Sequence, residues 1–234
     1  SSNVSIPSSI FNMLSGGGLR GVYPAVLRAG RESGRTEARG LLNAGVRLYM
    51  LVAFPAAFGL TAVALPFPRE FFAAWYDAGA PAIGLMSFTM VFMGLTEYAN
   101  KGFELEQNTR PVILNSAIAT LIKIVSSVVL IRAMGFLGGA VGSVIALCSY
   151  FLITSARVRR YFMWHVSMAS FLRILVSAAL CGAVAYGCTL LPLNNLLRLL
   201  IAIPAGGLTY LVCVVASGEA REEVSLFLKK LGHS

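Results

Sequence analysis

The stretch that decides the fold is residues 111–157, PVILNSAIATLIKIVSSVVLIRAMGFLGGAVGSVIALCSYFLITSAR. It is predominantly apolar and long enough for two helices that each cross a membrane, because about 20 apolar residues span a hydrocarbon layer of about 30 Å. A short turn at residues 132–135 separates the two helices. The stretch therefore predicts a membrane-embedded helical hairpin.

The first helix of this hairpin carries a lysine in its middle. Lys123 lies twelve residues after Pro111, which places it roughly 18 Å into a hydrocarbon layer of about 30 Å. An ammonium at that depth costs at least about 2.5 kcal/mol, so it should face protein or a water-filled cavity. We predict that Lys123 lines a cavity; the alternative is a lysine satisfied by a carbonyl or carboxylate inside a packed bundle.

Other polar residues lie before and after Lys123 along the same helix, at steps of three or four residues. They are Asn115, Ser116, Thr120, Ser126 and Ser127. A membrane helix with one polar stripe is typical of a transport pathway. We interpret these five residues, together with Lys123, as candidate substrate-binding residues.

The composition is that of an integral membrane protein. Apolar residues make up 57% of the chain and charged residues 12%, and the apolar residues come in long blocks. About six spans and short loops use up the 234 residues, which leaves no room for a soluble catalytic domain. The four cysteines and two histidines show no ligand spacing, so we expect no metal site and no cofactor.

The chain divides into three segments. Residues 1–40 are interpreted as the end of a truncated helix followed by a basic loop, residues 41–156 as a four-helix core, and residues 157–234 as a loop, two further helices and a tail. Besides the hairpin, we predict spans near residues 41–65, 81–100, 170–191 and 196–217. Because the first apolar run is too short to span a membrane, we expect the sequence to be the C-terminal part of a longer protein.

Two of the other spans carry further candidate residues. Arg47 lies in the first turns of the span near residues 41–65, which also contains Pro55. Glu97 and Lys101 are four residues apart at the end of the next span, so they can pair on one helical face. They are either a helix-end ion pair or part of a gate at the mouth of a cavity.

The distribution of basic residues predicts the orientation. Most of the 19 Lys and Arg residues fall in residues 16–40, 101–110, 157–173 and 217–234, whereas the opposite side has only Arg69, Arg132 and Arg198. The richer side is expected to be cytoplasmic, and the C-terminus with it. The net charge of +9 then reflects this rule and contact with anionic membrane lipids, not nucleic-acid binding.

The order of several short motifs resembles a known family. The motifs are VYPAVL at residues 22–27, PAAFGL at 55–60, Trp75-Tyr76, EYANKGF at 97–103, Glu106-Gln107-Asn108 and MGFLGGAVG at 134–142. In this order they resemble the C-terminal half of the polysaccharide and lipid-linked oligosaccharide flippases of the multidrug/oligosaccharidyl-lipid/polysaccharide exporter superfamily.

This resemblance implies an all-α membrane bundle that forms one lobe of a two-lobe transporter, with the N-terminal lobe as its missing partner. Such a transporter flips a polyprenyl-diphosphate-linked oligosaccharide from the cytoplasmic to the outer leaflet of the bacterial inner membrane by alternating access, for polysaccharide or lipopolysaccharide export. Lys123 and Arg47 would attract the negatively charged diphosphate, and the polar stripe would bind the sugars.

Two other functions are kept as alternatives. A multidrug or ion-coupled antiporter of the same superfamily would have the same fold, but it is expected to use intramembrane acids. A membrane enzyme acting on lipid-linked sugars would need an acid, base or metal cluster in a loop. The only outer acids are Glu70 and Asp77, with no histidine and no DxD pattern, so we do not expect an enzyme.

Overall fold

The computed structural model describes residues 35–64, 66, 80–159 and 165–219, and the regular secondary structure in them is helical. The helices are α1 (Arg35–Ala62), α2 (Ala80–Leu105), α3 (Arg110–Met134), α4 (Phe136–Val158), α5 (Met168–Thr189) and α6 (Asn195–Ala216). All six are long and apolar enough to cross a membrane. The predicted spans are therefore confirmed, while the helix end predicted in residues 1–14 lies outside the described residues.

Two helix boundaries differ from the prediction. Helix α1 begins at Arg35, inside the predicted loop, because arginine, glutamate and alanine in residues 35–39 favour a helix. Helix α2 continues five residues beyond Asn100. It ends where Gln107 takes a positive φ of 55° and the N–H of Asn108 donates to the carbonyl of Phe103 at 3.0 Å, a common helix terminus.

Gly135 alone joins α3 to α4, so the turn is shorter than predicted. Its φ of 62° lies in the left-handed region, which glycine adopts without the steric cost of a side chain. Its N–H donates to the carbonyl of Ile131 at 2.9 Å and closes the end of α3. Because the turn is this tight, the end of α3 and the start of α4 must lie side by side directly at the turn.

The first of two compact units holds α1 up to Ala53, together with α2, α3 and α4. Helix α4 packs against both α2 and α3, whereas α2 and α3 contact each other little. Glycines allow α3 and α4 to approach closely: a Cβ on Gly138 would fall on the carbonyl oxygen of Leu130, and one on Gly142 would lie 2.6 Å from Oγ of Ser127. Small residues in a membrane helix let a neighbouring helix approach closely, and here that neighbour is α3.

The second unit holds the rest of α1, from Phe54, together with α5 and α6. The ring of Phe54 meets that of Phe171 edge to face at 5.8 Å, and Gly182 of α5 lies against Phe58. A core of small and branched side chains joins the three helices: Ala62, Val63, Ala185, Leu199 and Ala202. Since α1 contributes to both units, the compact units do not follow the three segments inferred from the sequence.

A buried carboxylate connects the end of α6 to the start of α5. Glu219, just after α6, is buried and accepts hydrogen bonds from Oγ of Ser170 at 2.5 Å and from Nη1 of Arg173 at 3.2 Å. Ser167 caps the start of α5 by accepting from the N–H of Ser170 at 3.1 Å. These contacts tie the residue after α6 to the first turns of α5.

The glycines of α4 give the first test of this packing. Gly138→Ala should destabilise the protein by about 2 kcal/mol, because the added methyl group meets backbone that cannot move aside. Gly139→Ala is the matched control, since its Cβ would be 3.6 Å from a terminal carbon of Ile131, an ordinary contact. Thermal unfolding in detergent, followed by circular dichroism, should show a lower Tm for Gly138→Ala alone; equal Tm values would contradict the close approach.

The carboxylate of Glu219 gives a second test. Glu219→Ala should cost about 2 kcal/mol of stability, because the hydroxyl of Ser170 loses its acceptor in a buried position. Ser170→Ala removes the same hydrogen bond from the other side. The double variant should therefore lose clearly less stability than the sum of the two single losses in thermal unfolding; additive losses would mean that the two side chains act independently.

Candidate functional site

Lys123 lies on the exposed face of α3. Within the part of the chain that the structure describes, its ammonium has no hydrogen-bond or ion-pair partner. The described residues thus offer no support for the alternative in which a neighbouring carboxylate satisfies it. Because α3 packs mainly on α4, the described residues leave this face uncovered, and the cavity beside Lys123 stays a prediction.

The polar stripe of α3 divides into two faces. Ser116, Thr120 and Lys123 are all exposed, and we call these three residues the outer polar line. They are spaced by four and three residues, which places them along one side of the helix. Thr120 donates to the carbonyl of Ser116 at 2.9 Å, which leaves its oxygen able to accept.

The remaining members of the stripe lie on the side of α3 that faces α4. Asn115 is buried, whereas Ser126 and Ser127 are half-buried. The hydroxyl of Ser126 donates to the carbonyl of Ile122 at 2.7 Å and lies 3.3 Å from that of Gly142. Successive residues turn by about 100° around a helix, so neighbours such as Asn115 and Ser116 need not share a face. The predicted stripe is therefore divided between two faces of α3, and its role in substrate binding stays a prediction.

Asn115 is the centre of a buried network between α3 and α4. Its Nδ2 donates to Oγ1 of Thr154 at 3.3 Å, and its Oδ1 accepts from Nη1 of Arg157 at 2.7 Å. Asn115 and Thr154 are both 0% exposed. The sequence analysis missed Thr154 and Arg157, although a signal existed: in an antiparallel hairpin that turns at Gly135, residues about equally far before and after the turn face each other.

The predicted gate residues, Glu97 and Lys101, lie in α2, where Lys101 pairs with a further carboxylate. Nζ of Lys101 donates to both carboxylate oxygens of Glu104 at 2.8 Å. Glu104 is nearer the helix end, where a charge is closer to water and less costly than at the depth of Glu97. Glu97 is half-buried one turn further in.

The other predicted cation, Arg47, is half-buried in α1 and is not a free charge. Of the three predicted cations, Lys123 is thus the one that the described residues leave without a partner. Among the same described residues, no three His, Cys, Asp or Glu side chains come together as metal ligands would.

Comparison with known proteins identifies the fold and the family. A solved structure titled "Lipid II flippase MurJ, inward closed conformation" matches with a TM-score of 0.76 and 20% sequence identity, over 95% of this chain and 48% of that chain. The present chain thus spans about half the length of that flippase, and the likeness shows a shared fold. No curated protein matches the chain.

A second comparison, with models of protein families, shows the family of the chain as well as its fold. The family described as "Lipid II flippase MurJ" matches residues 19–202, which is well over half of the sequence. The prediction of a flippase family within the exporter superfamily is confirmed, while the narrower assignment to polysaccharide exporters is not. The chain belongs to the family of the lipid II flippase MurJ.

Proposed function

We propose that this chain is the C-terminal part of a transporter that flips lipid II from the cytoplasmic to the outer leaflet of the bacterial inner membrane. The single observation that carries the proposal is the family match over residues 19–202. The proposed substrate is therefore lipid II, and not the lipid-linked oligosaccharide for polysaccharide export that was expected from the sequence. The family is one of transporters, so the enzyme alternative is set aside.

The outer polar line is the part of this chain that we propose meets the substrate. An ammonium at the depth of Lys123 needs shielding from acyl chains, and α4 covers only the opposite side of α3. We propose that the part of the transporter that this chain does not span lies opposite this line, with a water-filled path between them. The uncovered position of Lys123 supports this arrangement.

The chemistry of the outer polar line suits a lipid-linked sugar. The resemblance described above implies a diphosphate between lipid and sugar, and a cation in a low-dielectric path attracts such a group far more strongly than it would in water. The hydroxyls of Ser116 and Thr120 can hydrogen-bond to sugar or phosphate oxygens. Arg47 stays a candidate for the same role nearer the cytoplasmic mouth, and Glu97 with Lys101 stays a candidate gate.

The orientation is also part of the proposal. The basic loops are placed in the cytoplasm because positive residues are retained there during insertion, and the C-terminus follows them. Lys123 would then lie at mid-membrane on the route between the two leaflets. A substrate phosphate would pass it without any covalent step.

Removing the ammonium tests this role. In the complete transporter, Lys123→Ala should slow lipid II translocation by about tenfold or more while protein abundance stays near normal, because the path loses its attraction for the diphosphate. Lys123→Arg should retain most of the rate, because it keeps the charge. Transport is measured as the appearance of lipid II in the outer leaflet of reconstituted vesicles.

Arg132→Ala is the matched control for that experiment. It removes one positive charge from the exposed last turn of the same helix, away from the outer polar line. Its translocation rate should equal that of the unmodified protein. If Lys123→Ala transports as fast as this control, Lys123 has no part in the route.

A further inference from the structure

Three arginines lie at the end of the hairpin where α3 begins and α4 ends. Arg110 is the first residue of α3, Arg157 lies in the last turn of α4, and Arg159 caps that helix. We call these three residues the basic corner. The two helices are antiparallel neighbours joined at Gly135, so their far ends lie side by side.

One arginine of this corner is held in a fixed orientation. The guanidinium of Arg157 donates one hydrogen bond, at 2.7 Å, to the carboxamide of Asn115. That carboxamide is fully buried and is itself held by Thr154. A long side chain normally loses rotamer freedom when it binds a ligand, and here the contact with Asn115 has already restricted it.

The rest of the guanidinium is available. Arginine has five N–H donors, and within the described residues Arg157 uses one of them, on Asn115. Arg157 is half-buried, while Arg110 and Arg159 are exposed. One carboxylate close to the corner in sequence, Glu104, is already bound to Lys101 at 2.8 Å.

The length of α4 places the corner near the depth of the lipid phosphates. Helix α4 has 23 residues, so it is about 34 Å long against a hydrocarbon layer of about 30 Å, and Arg157 lies one residue from its end. Within about a turn of the corner, α3 and α4 expose Ile113, Leu114 and Leu152, which are 69%, 53% and 60% exposed. A fixed guanidinium above exposed apolar side chains suits a ligand with an anionic head and acyl chains.

We propose that Arg157, supported by Arg110 and Arg159, binds the phosphate of an anionic phospholipid headgroup, and that Asn115 is its positioning residue. The planar guanidinium can bind two phosphate oxygens at once, which a lysine cannot do. The acyl chains lie along the apolar side chains below the corner. This site is separate from the outer polar line and does not depend on the proposed transport route.

Native mass spectrometry of the purified protein with added phosphatidylglycerol tests the site. Arg157→Gln should weaken phosphatidylglycerol binding by about tenfold, since it removes a charged donor pair from the phosphate. Arg157→Lys should retain part of the affinity, because it keeps the charge but not the two-oxygen geometry. Arg132→Gln, which removes one charge from the opposite end of the same hairpin, should bind as the unmodified protein does.

Further arms identify the ligand and the role of Asn115. Phosphatidylcholine and inorganic phosphate should each bind much more weakly than phosphatidylglycerol, and Lys123→Ala should bind phosphatidylglycerol normally. Asn115→Ala should lose affinity as Arg157→Gln does. If that variant fails to fold, Arg157→Gln still decides: phosphatidylglycerol binding equal to that of Arg132→Gln, or equal affinity for inorganic phosphate alone, overturns the proposal.

Discussion

The buried carboxamide of Asn115 determines how α3 lies against α4. In hydrocarbon an unsatisfied amide costs several kcal/mol, so the two helices favour the register in which Thr154 and Arg157 satisfy both of its ends. The glycines of α4 let the helices come close enough for this register to form. With Asn115 turned inward, helix geometry turns Ser116, Thr120 and Lys123 outward. The buried amide and the exposed lysine thus lie on different faces of one helix.

Three cations of the first unit differ in their surroundings. Lys101 is neutralised by Glu104, Arg157 is oriented by a neutral amide, and Lys123 has no partner among the described residues. A cation paired with a carboxylate stabilises a helix end, but it attracts an anionic ligand only weakly. A charge held by an amide keeps its full attraction for an anion but loses its freedom to move. The function of each cation follows from its partner more than from its residue type.

The fold was predictable from the sequence because it depends on long apolar blocks, and all six described helices lie where those blocks are. The boundaries were less accurate, since a polar helix end such as residues 35–39 looks like a loop in an apolar pattern. Within the site, Lys123 lies near the middle of α3, as the sequence predicted. The two faces of α3 were not separated, because steps of three and four residues do not distinguish the inward Asn115 from the outward Ser116. Predicting that Asn115 contacts Thr154 and Arg157 requires knowing which residues of α3 and α4 lie opposite each other. A turn placed only within residues 132–135 left this register open.

The single-residue turn at Gly135 has a consequence for biosynthesis. A growing chain meets the bilayer one helix at a time, and α3 on its own would bring an asparagine and a lysine to a depth where both are costly. Because Gly135 is the whole connection, α4 follows directly behind α3 as it leaves the ribosome. The two helices can then enter the lipid as a preassembled pair, with the amide of Asn115 already covered and one ammonium left to be sheltered.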